Sequence, residues 1–279
     1  MKKVCIIANA GKEAAAELVE RLLHFFHEHR LESNVCWEDF SEQFSYDEAV
    51  SEDTDCAIVL GGDGTMIRAA AKLAARRIPV FGINLGHLGF LASAEQNGIE
   101  TALLQLLSGQ YRIEERMRLK VFVNGAEFDA ALNDVVVSRS GISRIIGIHV
   151  LVNENRVSKY RGDGVIVATP TGSTGYNLSA GGPVVVPTTQ AILVTPICPH
   201  SLTARGIVLS SEDRVRLEIG EERTAPEEEA LVTVDGWNSR RLSARDRLEI
   251  CKTEEKAYFI RLNDRSFFDL LHKKLEHQG

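Results

Sequence analysis

Residues 61–65 have the sequence GGDGT, which combines a glycine-rich turn with a carboxylate. They follow an apolar run at residues 56–60 and precede a segment of strong helix-forming residues at 66–75. A strand, a glycine turn and a helix start together direct backbone N–H groups at a bound phosphate. Asp63 would repel a phosphate, so its presence indicates a nearby cation or a hydroxyl that gives up its proton. The alternative is an ordinary turn in which Asp63 caps the helix.

A second segment is longer and more particular. Residues 161–183 read RGDGVIVATPTGSTGYNLSAGGP. Together with GGDGT they closely resemble the signature of NAD kinases, which phosphorylate the adenosine 2′-hydroxyl of NAD to make NADP. Further matches to that family lie at residues 84–91, which match a Gly-x-Leu-Gly-Phe-Leu loop, and at 133–139 and 196–202. The resemblance spans most of the chain.

The composition is that of a soluble globular protein with a substantial core. The chain has 279 residues, of which 44% are hydrophobic and 25% charged, enough for two domains or one large one. A net charge of -7 without an extended basic cluster argues against a nucleic-acid partner. No apolar run reaches the roughly 18 residues of a membrane span. Five cysteines without CxxC spacing fit a reducing cytoplasm.

The pattern of elements predicts two unlike halves. In the first half strands and helices alternate, which predicts a Rossmann-like α/β domain with a parallel sheet. Asn9, the GGDGT turn and Asn84 each follow a predicted strand, and ligands bind such sheets beyond the carboxyl ends of their strands. We therefore expect these three features to converge. The acidic stretch at residues 38–55 is expected to be an exposed loop.

From about residue 112 the sequence pattern changes to that of short strands without intervening helices, which predicts a β-sandwich-like domain. Asn124-Gly125 marks a type I′ hairpin within it. The predicted domains are residues 1–110, an α/β domain with GGDGT; residues 111–262, a β-rich dinucleotide-binding and oligomerisation domain; and residues 263–279, an amphipathic C-terminal helix. By the resemblance, that helix packs back on the first domain.

The resemblance also implies roles for single residues. Asp63 matches the aspartate that contacts the ribose and is assigned as the general base, a role worth about 10²–10⁴-fold in rate. Placement and a cation would supply the rest. Asn133 and Asp134 match an Asn-Glu pair in which the amide reads adenine and the carboxylate takes ribose hydroxyls. Read alone, these two residues indicate a polar turn.

Further ligand contacts are carried over from the family position by position. Tyr176 would lie against a ring of NAD, and Gly175 replaces the usual alanine. Arg68 and Arg144 match basic ligand-contacting positions of bacterial members, although exposed structural arginines are the alternative. The NAD-binding residues so implied are Asp63, Gly64, Arg68, Asn133, Asp134, Arg144, Arg161, Asp163, Thr174, Gly175, Tyr176, Asn177, Leu178 and Ser179. The phosphate-binding residues are Gly61, Gly62, Gly64 and Thr65.

The expected phosphoryl donor is ATP, with a divalent metal cation, Mg²⁺, bridging its phosphates. No Gly-x-x-x-x-Gly-Lys-Ser/Thr motif occurs, so the GGDGT amides are the expected phosphate cradle. The metal ligands are left open. The expected partners are NAD and ATP, with no nucleic acid and no membrane, and the family resemblance implies a homodimer or homotetramer.

Two other interpretations share part of this pattern. A diacylglycerol- or sphingosine-type lipid kinase shares GGDGT, but it is not expected to carry the Thr-Pro-Thr-Gly-Ser-Thr segment, and the sequence shows no membrane-facing patch. A non-catalytic NAD(P)-sensing module would have no use for Asp63 beside phosphates. Incubation with NAD, ATP and Mg²⁺ separates all three, because only an NAD kinase forms NADP.

Overall fold

The chain folds into two units of different class. The computed structural model describes residues 1–39, 45–86, 89–140, 145–201, 203–220, 230–244, 246–262 and 266–276. One unit comprises Met1–Glu115 and Lys256–Gly279, and the other comprises Arg116–Glu255. The predicted fold class, an α/β domain with a parallel sheet and an all-β domain, is confirmed.

Within the described residues, the first unit is built on a seven-stranded sheet. Its strands are β1 (Lys3–Asn9), β2 (Glu32–Glu38), β3 (Cys56–Gly61), β4 (Val80–Asn84), β5 (Ala94–Glu95), β6 (Tyr111–Arg116) and β19 (Ala257–Leu262). The order is β2-β1-β3-β4-β19-β6, with β5 beside β4, and β1 pairs in parallel with both β2 and β3. Strands β1, β3 and β4 are almost wholly buried, as expected for a parallel sheet covered on both faces.

The helices of this unit are α1 (Glu13–Glu28), α2 (Asp63–Leu73), α3 (Ile99–Leu107) and α5 (Phe267–Glu276). Helix α1 buries Leu18, Leu22 and Phe26, which recur every four residues and so share one face. A short 3-10 turn, Ala74–Arg76, extends α2. The C-terminal helix contacts the first unit, as expected: the rings of Phe267 and Phe90 are 6.0 Å apart.

Strand β19 belongs to the first unit, although the predicted boundary at residue 262 placed it in the β-rich domain. It lies parallel to β4, with Phe259 beside Val80. Ile260 and Leu262 join the core of the parallel sheet. A short apolar strand shows no preference for one sheet in its sequence, because such a run suits a covered sheet of either kind. The structure therefore divides the chain after residues 115 and 255.

In the described residues of the second unit, two six-stranded antiparallel sheets enclose one core. One sheet has the order β11 (Asn155–Gly162), β10 (Ile146–Val152), β15 (Val215–Ile219), β18 (Arg247–Lys252), β7 (Leu119–Val123), β8 (Ala126–Ala131). The other has the order β14 (Ile207–Ser210), β13 (Ala191–Ile197), β12 (Gly164–Ala168), β9 (Asp134–Arg139), β16 (Ala230–Val234), β17 (Asn238–Leu242).

Local sequence explains the turns and the alternation of this sandwich. The hairpin between β7 and β8 is present, and both turn residues have positive φ, 53° at Asn124 and 80° at Gly125, as a type I′ turn requires. Strands β7, β15 and β16 alternate buried and half-buried residues, which is the pattern of a sheet with one face on the core. A 3-10 turn, Gly172–Thr174, and a short helix α4 (Tyr176–Ser179) follow β12.

Candidate active site

The glycine turn and two asparagines meet at one edge of the parallel sheet. Gly61 pairs with Asn84 in the register of β3 and β4. The Asn9 side-chain amide donates to the Thr65 hydroxyl over 3.3 Å. The convergence expected from strand ends is therefore present within the first unit, at the edge where open α/β sheets bind ligands.

Helix α2 begins at the turn, and its N-cap is Gly62, which has no side-chain cap hydrogen bond. Asp63 is the first helical residue, so the interpretation that Asp63 caps the helix is wrong. The first N–H groups of an α-helix have no intrahelical partner, and the helix dipole places positive charge there. The turn therefore offers amides suited to an anion such as phosphate.

The glycines of this turn serve different purposes. A Cβ on Gly61 would lie 2.5 Å from the Thr65 hydroxyl oxygen, so Gly61 lets the turn pack on itself. A Cβ on Gly62 or Gly64 would meet no atom within 4 Å in the part of the chain that the structure describes. Those two glycines therefore leave open space beside the amides, which is where a phosphate group could approach.

The Asp63 carboxylate is held by the loop that follows β4. Its Oδ2 accepts the Phe90 N–H over 2.8 Å, and its Oδ1 accepts the Leu91 N–H over 3.1 Å. A Cβ on Gly89 would lie 1.8 Å from Oδ1, so any larger residue at that position would displace the Asp63 carboxylate or the loop. This contact gives a physical reason for the second glycine of the Gly-x-Leu-Gly-Phe-Leu pattern. His87, in the same loop, lies outside the described residues.

Arg68 is buried and lies beside a carboxylate of its own unit. It is 4% exposed, and its Nε lies 3.1 Å from Oε1 of Glu38. The hydroxyl of Tyr46 donates to the other oxygen of Glu38. Burial, followed by this hydrogen bond, raises the pKa of Tyr46, so the hydroxyl remains a donor. The Arg68 side chain therefore takes part in a buried ion pair, and its contact with NAD stays a prediction. Glu38 is fully buried rather than part of an exposed loop.

In the second unit, Asn133 and Asp134 pack against the segment that follows β12. The Thr169 hydroxyl donates to the Leu132 carbonyl over 2.6 Å, and the Thr169 N–H donates to the Asn133 carbonyl over 2.8 Å. A Cβ on Gly175 would lie 3.4 Å from Nδ2 of Asn133 and 3.9 Å from Oδ2 of Asp134. Three of the predicted NAD-binding residues are thus neighbours within one unit.

Asp235 holds the backbone of residues 132–134 in place. No function was predicted for it from the sequence. Its carboxylate accepts the N–H groups of Leu132 over 2.7 Å, Asn133 over 2.7 Å and Asp134 over 3.0 Å. The Asp235-Gly236 pair is also the hairpin turn between β16 and β17, with φ of 47° and 83°. The sequence signal was the Asp-Gly pair itself, which indicates a turn and does not reveal what the carboxylate contacts.

The buried carboxyl group of Asp134 and the half-buried Asp235 therefore lie close together. Burial, with a further contribution from Asp235, raises the pKa of Asp134 to about 7. Burial also raises the pKa of Asp235 to about 6, against the opposing effect of its three backbone hydrogen bonds and of Arg118. The protonation of Asp134 consequently changes near neutral pH.

Asn133 carries an unsatisfied acceptor. Its Oδ1 is buried, and no hydrogen-bond partner for it lies among the described residues. An unpaired buried amide oxygen costs free energy, about 1–3 kcal/mol, unless a ligand or water supplies a donor. The position of Asn133 beside Asp134 and Gly175 is therefore suited to a ligand that donates a hydrogen bond.

The remaining predicted contacts differ in exposure. Tyr176, Arg161 and Ser179 are exposed, whereas Thr174 and Leu178 are half-buried. Asp163 is half-exposed and pairs with Arg139, whose Nε lies 2.8 Å from Oδ1. The sequence analysis did not single out Arg139. Arg144 lies outside the described residues.

Asn177 departs from its predicted role as a ligand contact, because its side chain is completely buried. Its Nδ2 donates to the carbonyls of Ser173 over 3.2 Å and Pro183 over 3.0 Å, and its Oδ1 accepts the Thr195 hydroxyl over 2.6 Å. These contacts use both amide hydrogens and one lone pair of Oδ1 to hold the glycine-rich segment against β13.

The described residues contain neither a grouped metal site nor a membrane-spanning helix. In those ranges no three His, Cys, Asp or Glu side chains are grouped as a metal site would require. None of the helices in the same ranges has the length and apolar character needed to span a membrane.

Comparison with family models covers both units. The model for the ATP-NAD kinase N-terminal domain matches residues 4–111, and the model for the ATP-NAD kinase C-terminal domain matches residues 132–262. Among curated relatives, the NAD kinase of Lachnoclostridium phytofermentans is 47% identical, and the match covers 98% of this chain and 99% of that protein. The NAD kinase of Thermoanaerobacter sp. strain X514 is 41% identical, with 99% of each chain covered.

Solved structures show the same fold. An NAD kinase from Archaeoglobus fulgidus in complex with ATP has a TM-score of 0.79 and 28% identity, covering 97% of this chain and 98% of that one. Yeast NADH kinase complexed with NADH has a TM-score of 0.81 over 95% of this chain and 84% of that one; at 24% identity it is evidence for the fold alone.

The two-unit fold, the glycine turn with its carboxylate and these matches define an ATP-dependent phosphotransferase. More particularly, the chain belongs to the ATP-NAD kinase family. The family membership and enzyme class predicted from the motifs are confirmed.

Proposed function

We propose that this enzyme transfers the γ-phosphoryl group of ATP to the adenosine 2′-hydroxyl of NAD, giving NADP and ADP, with Asp63 as the general base. The observation that carries the proposal is the position of the Asp63 carboxylate and the hydrogen bonds that hold it. It lies at the start of α2, beside the open space at Gly62 and Gly64, and two backbone N–H groups fix its direction.

Each oxygen of Asp63 accepts one N–H in the structure, and a carboxylate oxygen has two lone pairs. Both oxygens therefore keep the capacity to accept a proton. As the ribose oxygen forms its bond to the γ-phosphorus, its proton passes to Asp63, and the bond from that phosphorus to the β–γ bridging oxygen breaks. General-base catalysis of this kind raises the reaction rate by about 10²–10⁴-fold, and positioning of the substrates supplies most of the remaining rate enhancement.

The phosphate cradle is assigned to the amides of Gly61, Gly62, Gly64 and Thr65. Support comes from the described residues, none of which lies within 4 Å of a Cβ on Gly62 or Gly64, so they leave the amides of the helix start accessible. The Thr65 side chain is buried against Asn9, so its contribution would come from its backbone N–H.

Recognition of the dinucleotide is assigned to the second unit. Asn133 would bind the adenine amino group through its buried, unsatisfied Oδ1, and Asp134 would accept ribose hydroxyls. Tyr176 is 46% exposed and can present its ring to a ring of NAD. The family resemblance adds Arg161, Asp163, Thr174, Gly175, Leu178 and Ser179 as contacts, and the proposal leaves the side chains of Arg68 and Asn177 out.

A divalent cation, Mg²⁺, is proposed as a companion of ATP. Mg²⁺ is commonly bound through one or two carboxylates together with substrate phosphates, so a single carboxylate beside a phosphate cradle suits it. Asp63 is the residue that would hold it if its role is that of a metal-linked orienter. The cation would neutralise the charge that develops on the transferred group.

A cytoplasmic homodimer or homotetramer is proposed on family grounds. All five cysteines lie in the described residues and are free thiols, which fits a reducing compartment. The mass in solution, measured by light scattering, tests the oligomer: a monomer at micromolar concentration would contradict it.

The reaction is tested by incubating the purified protein with NAD, ATP and Mg²⁺. NADP is expected, and enzymatic assay together with phosphorus NMR of the product distinguishes a 2′-phosphate from a 3′-phosphate. No phosphorylated dinucleotide, or a phosphate on a different oxygen, would contradict the proposal.

A further inference from the structure

Arg261, a buried residue of β19, reaches the loop that holds Asp63. Its guanidinium donates to the carbonyls of Leu91 over 2.7 Å, Phe90 over 3.2 Å and Ala92 over 3.3 Å. Its Nε lies 3.7 Å from a carboxylate oxygen of Glu114. The residue is 8% exposed and lies 170 residues along the chain from Leu91.

The same two loop residues use their N–H groups to hold the carboxylate of Asp63, at 2.8 Å from Phe90 and 3.1 Å from Leu91. Each therefore donates to Asp63 with its N–H and accepts from Arg261 with its carbonyl. Because a peptide group is planar and stiff, holding the Phe90 carbonyl fixes the direction of the Leu91 N–H, which belongs to the same peptide group. The Phe90 N–H is one Cα away from that held carbonyl. The guanidinium and the carboxylate are thus connected through two residues of backbone.

The chemistry of arginine suits this task. A guanidinium carries five donors in a rigid planar fork, whereas the lysine ammonium is a compact point charge on a flexible stem. Three successive carbonyls held at 2.7–3.3 Å match such a fork. Buried carbonyls also need donors, and Arg261 supplies them where neither a helix nor a strand does.

We propose that Arg261 is a positioning residue for Asp63, which it orients through the backbone of Phe90 and Leu91. The inference rests on the proposed function, because it takes Asp63 to be the group that receives the proton. Arg261 touches neither substrate nor the reacting atoms; it acts on turnover by keeping the N–H donors of the loop in place.

The test compares Arg261→Lys and Arg261→Gln with Ser93→Ala. Ser93 lies two residues beyond Leu91, and its hydroxyl donates to the Ile260 carbonyl, so it joins the same segment to the same strand without touching the carbonyls of residues 90–92. We expect the Arg261 variants to lower kcat by about 10–100-fold, the scale of a misplacement of up to about 1 Å, with KM for NAD and ATP changed less than about threefold. Ser93→Ala should keep kcat within about twofold.

Hydrogen exchange gives a readout that does not depend on activity. The Phe90 and Leu91 amides should exchange faster in both Arg261 variants than in Ser93→Ala at matched thermal stability. Equal exchange in all three folded proteins would overturn the inference, as would a kcat in either Arg261 variant within about twofold of the parent.

A double-mutant cycle with Asp63→Asn separates this inference from the proposed function. If Arg261 acts through Asp63, then Arg261→Lys should lower kcat by less than about twofold in the Asp63→Asn background. An equal loss in both backgrounds would overturn the inference alone. If Asp63→Asn by itself retained near-normal turnover, the proposed function would fail, and the role of Arg261 with it.

Discussion

Replacing Gly89 with alanine should displace the Asp63 carboxylate. A Cβ at Gly89 would lie 1.8 Å from Oδ1 and 2.4 Å from Cγ, while ordinary contact begins at 3.4 Å. The difference for Oδ1, 3.4 − 1.8 = 1.6 Å, is the distance that the carboxylate or the loop must move. Asp63 would then lose one or both of its backbone hydrogen bonds.

A misplacement of about 1 Å can reduce an enzymatic rate by about 10²-fold. We therefore expect Gly89→Ala to lower kcat by at least about 10²-fold, measured as NADP formed at saturating NAD and ATP. Gly86→Ala is the matched control, because it lies in the same loop and its added Cβ meets no atom of the described residues within 4 Å. Its kcat should stay within about threefold of the parent.

The two variants should separate in kcat while both remain folded, as judged by circular dichroism and thermal melting. If kcat of Gly89→Ala were within about threefold of that of Gly86→Ala, the carboxylate would not need its observed position. The reasoning that links the loop to Asp63 would then be refuted.

Three further predictions concern the phosphate turn and the second unit. Gly64→Ala should raise KM for ATP and leave the melting temperature unchanged. Gly61→Ala should lower the melting temperature, because only the Cβ added at Gly61 collides with Thr65. Equal melting temperatures of the two variants would contradict this. Asp235→Ala leaves three backbone N–H donors without their acceptor, so it should lower the free energy of unfolding, measured in denaturant, by about 3 kcal/mol or more and raise KM for NAD. A loss of unfolding free energy below about 1 kcal/mol would show that these N–H groups find other partners. Affinity for NAD should rise with pH through about 7, because ionisation turns both oxygens of Asp134 into charged acceptors for the ribose hydroxyls. Asp134→Asn should flatten this dependence, and a parent profile that is already flat would argue against the ribose contact.

The stability of the protein has its own dependence on Asp134. Its folded pKa of about 7 lies above the ordinary carboxyl value, so the folded state binds a proton that the unfolded state has released. The contribution of this group to stability is therefore present at acid pH and is lost as pH rises from about 4 to about 7. The shift in Asp235 acts in the same direction.

Sequence reasoning located the parts of the site that depend on local chemistry. GGDGT between a strand and a helix predicted the turn, and strand ends predicted that Asn9 and Asn84 would lie beside it. The hairpin at Asn124-Gly125 was equally predictable, because positive φ at two successive residues selects those residue types. Each of these signals lies within a few residues of the feature that it predicts.

The contacts that sequence reasoning missed join residues far apart in the chain. Arg261 holds carbonyls about 170 residues away, and Asp235 holds amides about 100 residues away. Arg68 was assigned to the ligand, but its partner is Glu38, which an acidic stretch suggested to be exposed. A residue type shows which bonds a side chain can make, and only the fold determines which partner is in reach.

The most direct test of the account is the kinetics of Asp63→Asn together with its affinity for NAD. The amide is nearly isosteric with the carboxylate but cannot take a proton at neutral pH, so we predict that kcat falls by about 10²–10⁴-fold while calorimetry shows NAD binding within about threefold of the parent. Near-normal turnover in this variant would contradict the assignment of Asp63 as the base.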